Sequence, residues 1–213
     1  GAIGRSQKRL KRDVLDVVML HHPSEELFMK EEILGSMKDL KKEGLFRHWG
    51  VASGHSSISR LAIDGGAEVI AAPYNLLHVT DVNRISGDVL VERTGLLLHT
   101  VLGYGLLTGT WREEREFPPS DHRSRRWSRH EVEERARQVD LLKFLIRGDV
   151  PSMRGAAVRF ALANHVASSV VLGPKNPAQL KELVREPGAG PRYLSDDDVK
   201  EVYKVLERAG VSL

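Results

Sequence analysis

The sequence has 213 residues, 41% hydrophobic and 29% charged, the balance of a globular chain with room for one sizeable domain. Cysteine is absent, which excludes a disulfide framework, thiolate metal sites, iron–sulfur clusters and cysteine nucleophiles. No apolar run reaches membrane-spanning length and the N-terminus lacks the apolar core of a secretory signal, so a cytoplasmic protein with no membrane partner is expected. Net charge is only +3. The basic clusters at Arg5–Arg12 and Arg123–Arg129 have a single aromatic, Trp127, near them, and no nucleic-acid partner is expected.

The opening residues read as a basic helix. Val14 to Leu20 is a β-branched-rich apolar run, the pattern of a buried parallel strand, ending at His21-His22-Pro23-Ser24. Ser24 is a candidate N-cap for a helix whose apolar residues recur from Leu27 to Leu40, with Gly44 as its stop. A strand is expected over about His48–Ser53, then a helix through Ile58 and Leu61 to Gly65-Gly66. Strand Val69–Ala72 leads into Tyr74-Asn75, and a weakly marked helix around Asp88–Arg93 precedes strand Gly95–Val101. Leu102–Arg129 has little periodicity and reads as a long, irregular, functional loop. Helices near Glu131–Ile146 and Ser152–Asn164 follow, then strand Ser168–Leu172. Asn176 as N-cap with Pro177 at the first helical position is a strong helix start, and a final helix spans about Asp196–Ala209. Five strands alternating with helices mean an α/β fold with a parallel sheet.

In such a fold, chemistry collects at the carboxyl ends of the strands. Those ends carry His21/His22, Ser53/His55, Tyr74/Asn75/His78, His99/Thr100 and Lys175/Asn176. Gly173-Pro174-Lys175-Asn176-Pro177 can form an anion site, since free helix N–H groups and a lysine charge both favour a phosphate. His21, His55, His78 and His99 offer imidazoles for a metal, but no acidic ligand stands with them and none is assigned. The run Gly103-Tyr104-Gly105-Leu106-Leu107-Thr108-Gly109 follows a strand, yet its last spacing is one residue too long for a dinucleotide fingerprint. Neither a serine-hydrolase elbow nor a P-loop is present.

Several segments, in order, resemble the aldo-keto reductase family: Asp16 to Pro23, Leu40 to Val51, Tyr74-Asn75, Leu102 to Gly109, Asp121 to Trp127 and Gly173 to Leu180. The resemblance implies a TIM-type (β/α)8 barrel that binds NADP(H) and reduces small carbonyl compounds, or oxidises alcohols, by hydride transfer. The five strands match the fourth to eighth of that barrel, so residues 1–213 read as a single barrel domain, partial at its N-terminus. Of the family's catalytic Asp, Tyr, Lys and His, only the His has a counterpart, His21, which would polarise the substrate carbonyl.

For the cofactor the resemblance implies Ser53, Thr100, Leu102, Gly103, Leu106, Gly173, Lys175, Asn176 and Gln179. It also marks departures at the nicotinamide end. Ala71 replaces a Gln, His99 an aromatic residue, and Thr100-Val101 a Ser-Pro pair, while Leu183 replaces an Asn that often contacts adenine. Five strands alone would leave open sheet edges, so a homo-oligomer is expected if the chain is complete. Two alternatives stand beside the reductase: a non-reducing binding or assembly module, and a cofactor-free or metal-dependent enzyme using the strand-end histidines.

Overall fold

Strands form where β-branched and apolar residues run together: β1 Leu15–His21, β2 Phe46–Ala52, β3 Val69–Pro73, β4 Gly95–His99 and the short β5 Ser169–Val170. The computed structural model describes residues 1–112, 114–186 and 193–211. Its sheet has the order β1-β2-β3-β4-β5, with β1 parallel to β2 from Leu15↔Phe46 to His21↔Ala52 and β2 parallel to β3 from Gly50↔Val69. At Gly50 a Cβ would lie 2.0 Å from the Val69 carbonyl oxygen, so this register requires a glycine.

The chain divides into two compact units. The first comprises Gly1–Pro73, Thr80–Leu98 and Val166–Ser169. It holds α1 Ala2–Leu10, α2 Glu25–Met29, α3 Glu31–Lys42, α4 Ser56–Asp64 and α5 Thr80–Val91. Phe46, Val51, Ile70, Ile85, Leu96 and Leu98 are its largest fully buried side chains. The expected helix after Ser24 is two helices, because Lys30 is extended (φ −89°, ψ 112°) between them. Ser24 sits at the N-cap but its side chain makes no capping bond. α5 begins eight residues before the expected Asp88. Its buried residues Val82, Ile85 and Val89 keep helical spacing, but the polar and glycine residues among them thin the pattern.

The second unit comprises Tyr74–Val79, His99–His165 and Val170–Leu213. Its helices are α6 Arg129–Leu141, α7 Met153–Leu162, α8 Pro177–Arg185 and α9 Asp196–Arg208. Tyr74 stacks on Phe160 with ring centroids 5.3 Å apart and planes 8° from parallel, at the centre of a core with Leu107, Leu142, Leu145 and Leu206. The helix expected to reach Ile146 ends at Leu141, and Lys143–Leu145 forms a separate 3-10 turn that buries Leu145. A capping box starts α6, with Ser128 and Glu131 each satisfying the other's backbone N–H. The expected irregular loop over 102–129 carries two 3-10 helices, Gly103–Thr108 and His122–Arg125; residue 113 of that stretch lies outside the described residues. The strand expected over 168–172 shortens to β5.

Candidate functional site

A cavity of about 580 Å³ lies in the second unit. One wall starts at the end of β4, where Thr100 adopts φ 57°. A β-branched residue in the left-handed region costs about 1–3 kcal/mol, and its neighbours hold it there. The Thr100 carbonyl accepts from Asn75 Nδ2 at 3.1 Å and from the Gly103 N–H at 2.8 Å, while its hydroxyl lies 2.7 Å from His99 Nδ1. Asn75 is itself buried, and its Oδ1 accepts from the Leu77 N–H at 3.0 Å.

The same wall continues through an aromatic cluster. Trp111 meets Phe117 and Trp127 edge-on at 4.9 and 5.5 Å between centroids, and Trp127 meets Tyr104 at 5.8 Å. Arginines alternate with these rings: Arg123 lies 4.6 Å from the Phe117 centroid, Arg126 3.9 Å from that of Tyr104 and Arg115 5.4 Å from that of Phe117. Such cation–π contacts each add about 0.5–2 kcal/mol depending on solvation. Arg123 also donates two parallel bonds to Asp121, Nε to Oδ1 at 2.9 Å and Nη2 to Oδ2 at 2.6 Å. These bonds hold the Asp121 carboxyl well below the usual carboxylate range and raise the guanidinium.

The opposite wall is the turn into α8. Asn176 Oδ1 accepts from the Gln179 N–H at 2.9 Å, and Gln179 Oε1 accepts from the Lys175 N–H at 2.8 Å. Pro177 occupies the first turn as the sequence predicts. Arg154 joins α7 to α8 through Glu182 (2.6 Å) and Glu186 (2.8 Å).

The charge of this cavity is one-sided. Arg115, Arg123, Arg154 and Lys175 line it, and among the described residues no Asp or Glu does. Arg123 and Arg154 are neutralised by the carboxylates just named. Arg115 and Lys175 have no carboxylate partner among the described residues. An anionic ligand is the occupant this favours.

Five residues expected at a cofactor site, Thr100, Leu102, Gly173, Lys175 and Gln179, line this one cavity. Gly103 and Leu106 are buried in the 3-10 helix that forms its wall, and Asn176 caps α8. His21 and Ser53 belong to the first unit. His21 ends β1, exposed, its ring edge-on to His22 at 4.4 Å; Ser53 is buried, its Oγ accepting from the His55 N–H at 3.1 Å. Arg115, Trp111 and Arg154 went unnoticed as site residues because they fall in aperiodic or ordinary helical sequence. Among the described residues no three His, Cys, Asp or Glu side chains gather as a metal site, and no helix is long and apolar enough to cross a membrane.

The profile described as "Aldo/keto reductase family" matches residues 2–207. The chain belongs to that family. An "Aldo-keto reductase" of Babesia bovis is 25% identical, over 95% of this chain and 85% of its own length. A "D-threo-aldose 1-dehydrogenase" of a Pseudomonas species is 26% identical, over 85% of this chain and 54% of its own. Among solved structures, the glycerol dehydrogenase of Gluconobacter oxydans superposes with a TM-score of 0.84 at 22% identity, covering 100% of this chain and 64% of that one. The holo form of an aldo-keto reductase from Bacillus halodurans gives 0.73 at 20% identity, covering 96% and 65%. The chain thus spans about two thirds of these structures, and its five parallel strands with alternating helices are part of a TIM-type barrel. Aldo-keto reductases are oxidoreductases, and the named relatives include two dehydrogenases.

Proposed function

We propose that the chain binds NADP(H) through the cavity of the second unit and serves carbonyl reduction or alcohol oxidation on a small polyhydroxylated substrate. The observation that carries this is the convergence of Thr100, Leu102, Gly173, Lys175 and Gln179 on one cavity whose lining is cationic and, among the described residues, free of carboxylates. A dinucleotide phosphate fits that chemistry: it needs positive charge and an apolar floor, here Val101, Leu172 and Leu183. Lys175 would hold the adenosine monophosphate, with Gln179 and the capped start of α8 beside it. Thr100, Leu102 and Gly103 would follow the diphosphate along the wall. NADP(H), when bound, supplies the hydride. The substrate class comes from the names of two relatives, an aldose dehydrogenase and a glycerol dehydrogenase.

His21, exposed at the carboxyl end of β1, would donate a hydrogen bond to the carbonyl oxygen and polarise it. Tyr74 does not supply the acid, because its hydroxyl is buried with Asn164 and Tyr203 as partners and burial pushes its pKa up. The Tyr104 ring lies against the Arg126 guanidinium, 3.9 Å from its centroid. A second reading is cofactor binding without turnover.

Titration calorimetry with NADPH, followed by NADPH oxidation with glyceraldehyde, separates the two. Binding with turnover supports the reductase, and binding alone supports the second reading. Lys175→Glu places a carboxylate where a phosphate is expected and should weaken NADPH binding by about tenfold or more. Undiminished affinity in that variant would remove the basis for both readings.

A further inference from the structure

At the amino ends of β2, β3 and β4 the first unit holds a cavity of its own, of about 410 Å³. His48 lines it near the start of β2, Glu68 immediately before β3 and Thr94 immediately before β4. Two helices finish here in the same way. After α4 the Gly66 and Ala67 N–H groups donate to the Ile63 and Ala62 carbonyls at 2.9 and 2.8 Å. After α5 the Arg93 and Thr94 N–H groups donate to those of Leu90 and Val89 at 3.4 and 3.0 Å. Each closure turns on one left-handed residue. The first uses Gly66 at φ 90°, where glycine is at ease; the second uses Arg93 at φ 53°, where a side chain is strained. Strain of this kind points to a use for the side chain that bears it.

The cavity also holds a polar group with nothing to bind. Thr94 is only 6% exposed, and its hydroxyl makes no hydrogen bond among the described residues. No fully buried side-chain polar atom of those residues lacks a partner, so this hydroxyl opens onto the cavity that Thr94 lines. Glu68 is already committed, accepting from Lys41 Nζ at 2.6 Å and from His48 Nδ1 at 2.8 Å. Glu92 and Arg93 remain. Both line the cavity, and neither enters an ion pair among the described residues.

We propose that this cavity is a binding site for a small dipolar ligand, a free α-amino acid. The Arg93 guanidinium takes the carboxylate through paired N–H donors. Glu92 takes the ammonium, helped by the carbonyl ends of α4 and α5, which favour positive charge. The Thr94 hydroxyl completes the polar contacts, and Ile63 and Ala67 in the lining meet the ligand's side chain. A simple anion would face Glu92 and two helix carboxyl ends, and a simple cation would face Arg93, so neither charge alone matches the walls. The assignment is independent of the cofactor reading, since every residue in it belongs to the first unit.

The experiment is calorimetry on the unmodified chain with each of the standard amino acids, of which at least one should bind with a Kd of about 1 mM or tighter. The amide of that amino acid lacks the carboxylate and its N-acetyl derivative lacks the ammonium. Each should bind about tenfold or more weakly, the loss of a charge-assisted hydrogen bond. Arg93→Gly should weaken the free amino acid to the level of its amide while raising the unfolding midpoint, because glycine relieves the left-handed strain. A purely structural arginine would give the opposite pair, a lower midpoint with affinity unchanged. Thr94→Val removes the hydroxyl at nearly constant volume and should weaken binding about threefold to tenfold. Three results overturn the site: no amino acid binds, either derivative binds as well as its parent, or Arg93→Gly keeps full affinity.

Discussion

Asp121 shows how one side chain orders a stretch that sequence periodicity leaves blank. Its Oδ1 accepts from the Arg123 backbone N–H at 2.9 Å and caps the 3-10 helix, while the carboxylate also clamps the Arg123 guanidinium. Arg123 is thereby held against Phe117 and 3.3 Å from the Tyr104 carbonyl oxygen. The sign of the pH effect follows from the depressed carboxyl. Its contribution to stability is fully present above the unfolded value, about 3.9, and fades as pH falls through the lower folded value. Asp121→Asn should therefore lower the urea midpoint at pH 7 and at pH 5 by the same amount, with the gap to the unmodified chain closing only below about pH 4. A gap already closing between pH 7 and pH 5 would mean that the carboxyl is not held by Arg123. Thr100 is the other residue of this kind. Its positive φ is imposed by Asn75 and Gly103 from either side, and nothing in the letters Thr-Val announces it.

Among the elements, α8 was the most legible. Asn176 and Pro177 mark its start in the sequence, and the structure puts the cap where those residues stand. Strands β1 to β4 were nearly as clear, because β-branched runs declare buried parallel strands wherever they occur. α5 was legible only at its end, since Val82, Ile85 and Val89 are diluted by polar neighbours and Gly87. The aromatic wall was not legible at all, because Tyr104, Trp111, Phe117 and Trp127 come together by tertiary folding and share no period.

The spacing of α7 and α8 gives an element-scale test. A Cβ on Gly155 would lie 2.9 Å from the Glu186 carbonyl oxygen, a backbone atom that cannot step aside cheaply. Gly155→Ala gains about 1 kcal/mol of helix propensity but forces α7 and α8 apart, at a cost of about 1–3 kcal/mol. A lower urea midpoint with weaker NADPH binding is expected. A raised midpoint would show that the two helices are less closely apposed than described.

Across the whole molecule, the two units carry different parts of the expected site. The cavity, its cations and the α8 cap belong to the second unit; His21 and Ser53 belong to the first. Ligand binding at the cavity should stabilise the fold by about 2.7 kcal/mol at a ligand concentration one hundred times its Kd. Hydrogen exchange should then slow over residues 100–112 and 171–183 when adenosine 2′,5′-bisphosphate is added. Protection confined to β1, β2 and β3 would contradict the assignment of the phosphate site to the second unit. The family's barrel was legible because its segments recur in order along the chain. The cation balance was not, since which arginines are already paired depends on Asp121, Glu182 and Glu186, whose partners only the folded chain reveals.

The placement of the tryptophans has an optical consequence. The chain has three: Trp49 is buried in β2 of the first unit, while Trp111 and Trp127 lie edge-on to each other in the second. Trp111 lines the cavity with the Arg123 guanidinium 6.0 Å from its ring. Filling of the cavity by an anion should therefore change Trp111 emission, and an emission unchanged on addition of NADPH would count against occupancy of this cavity.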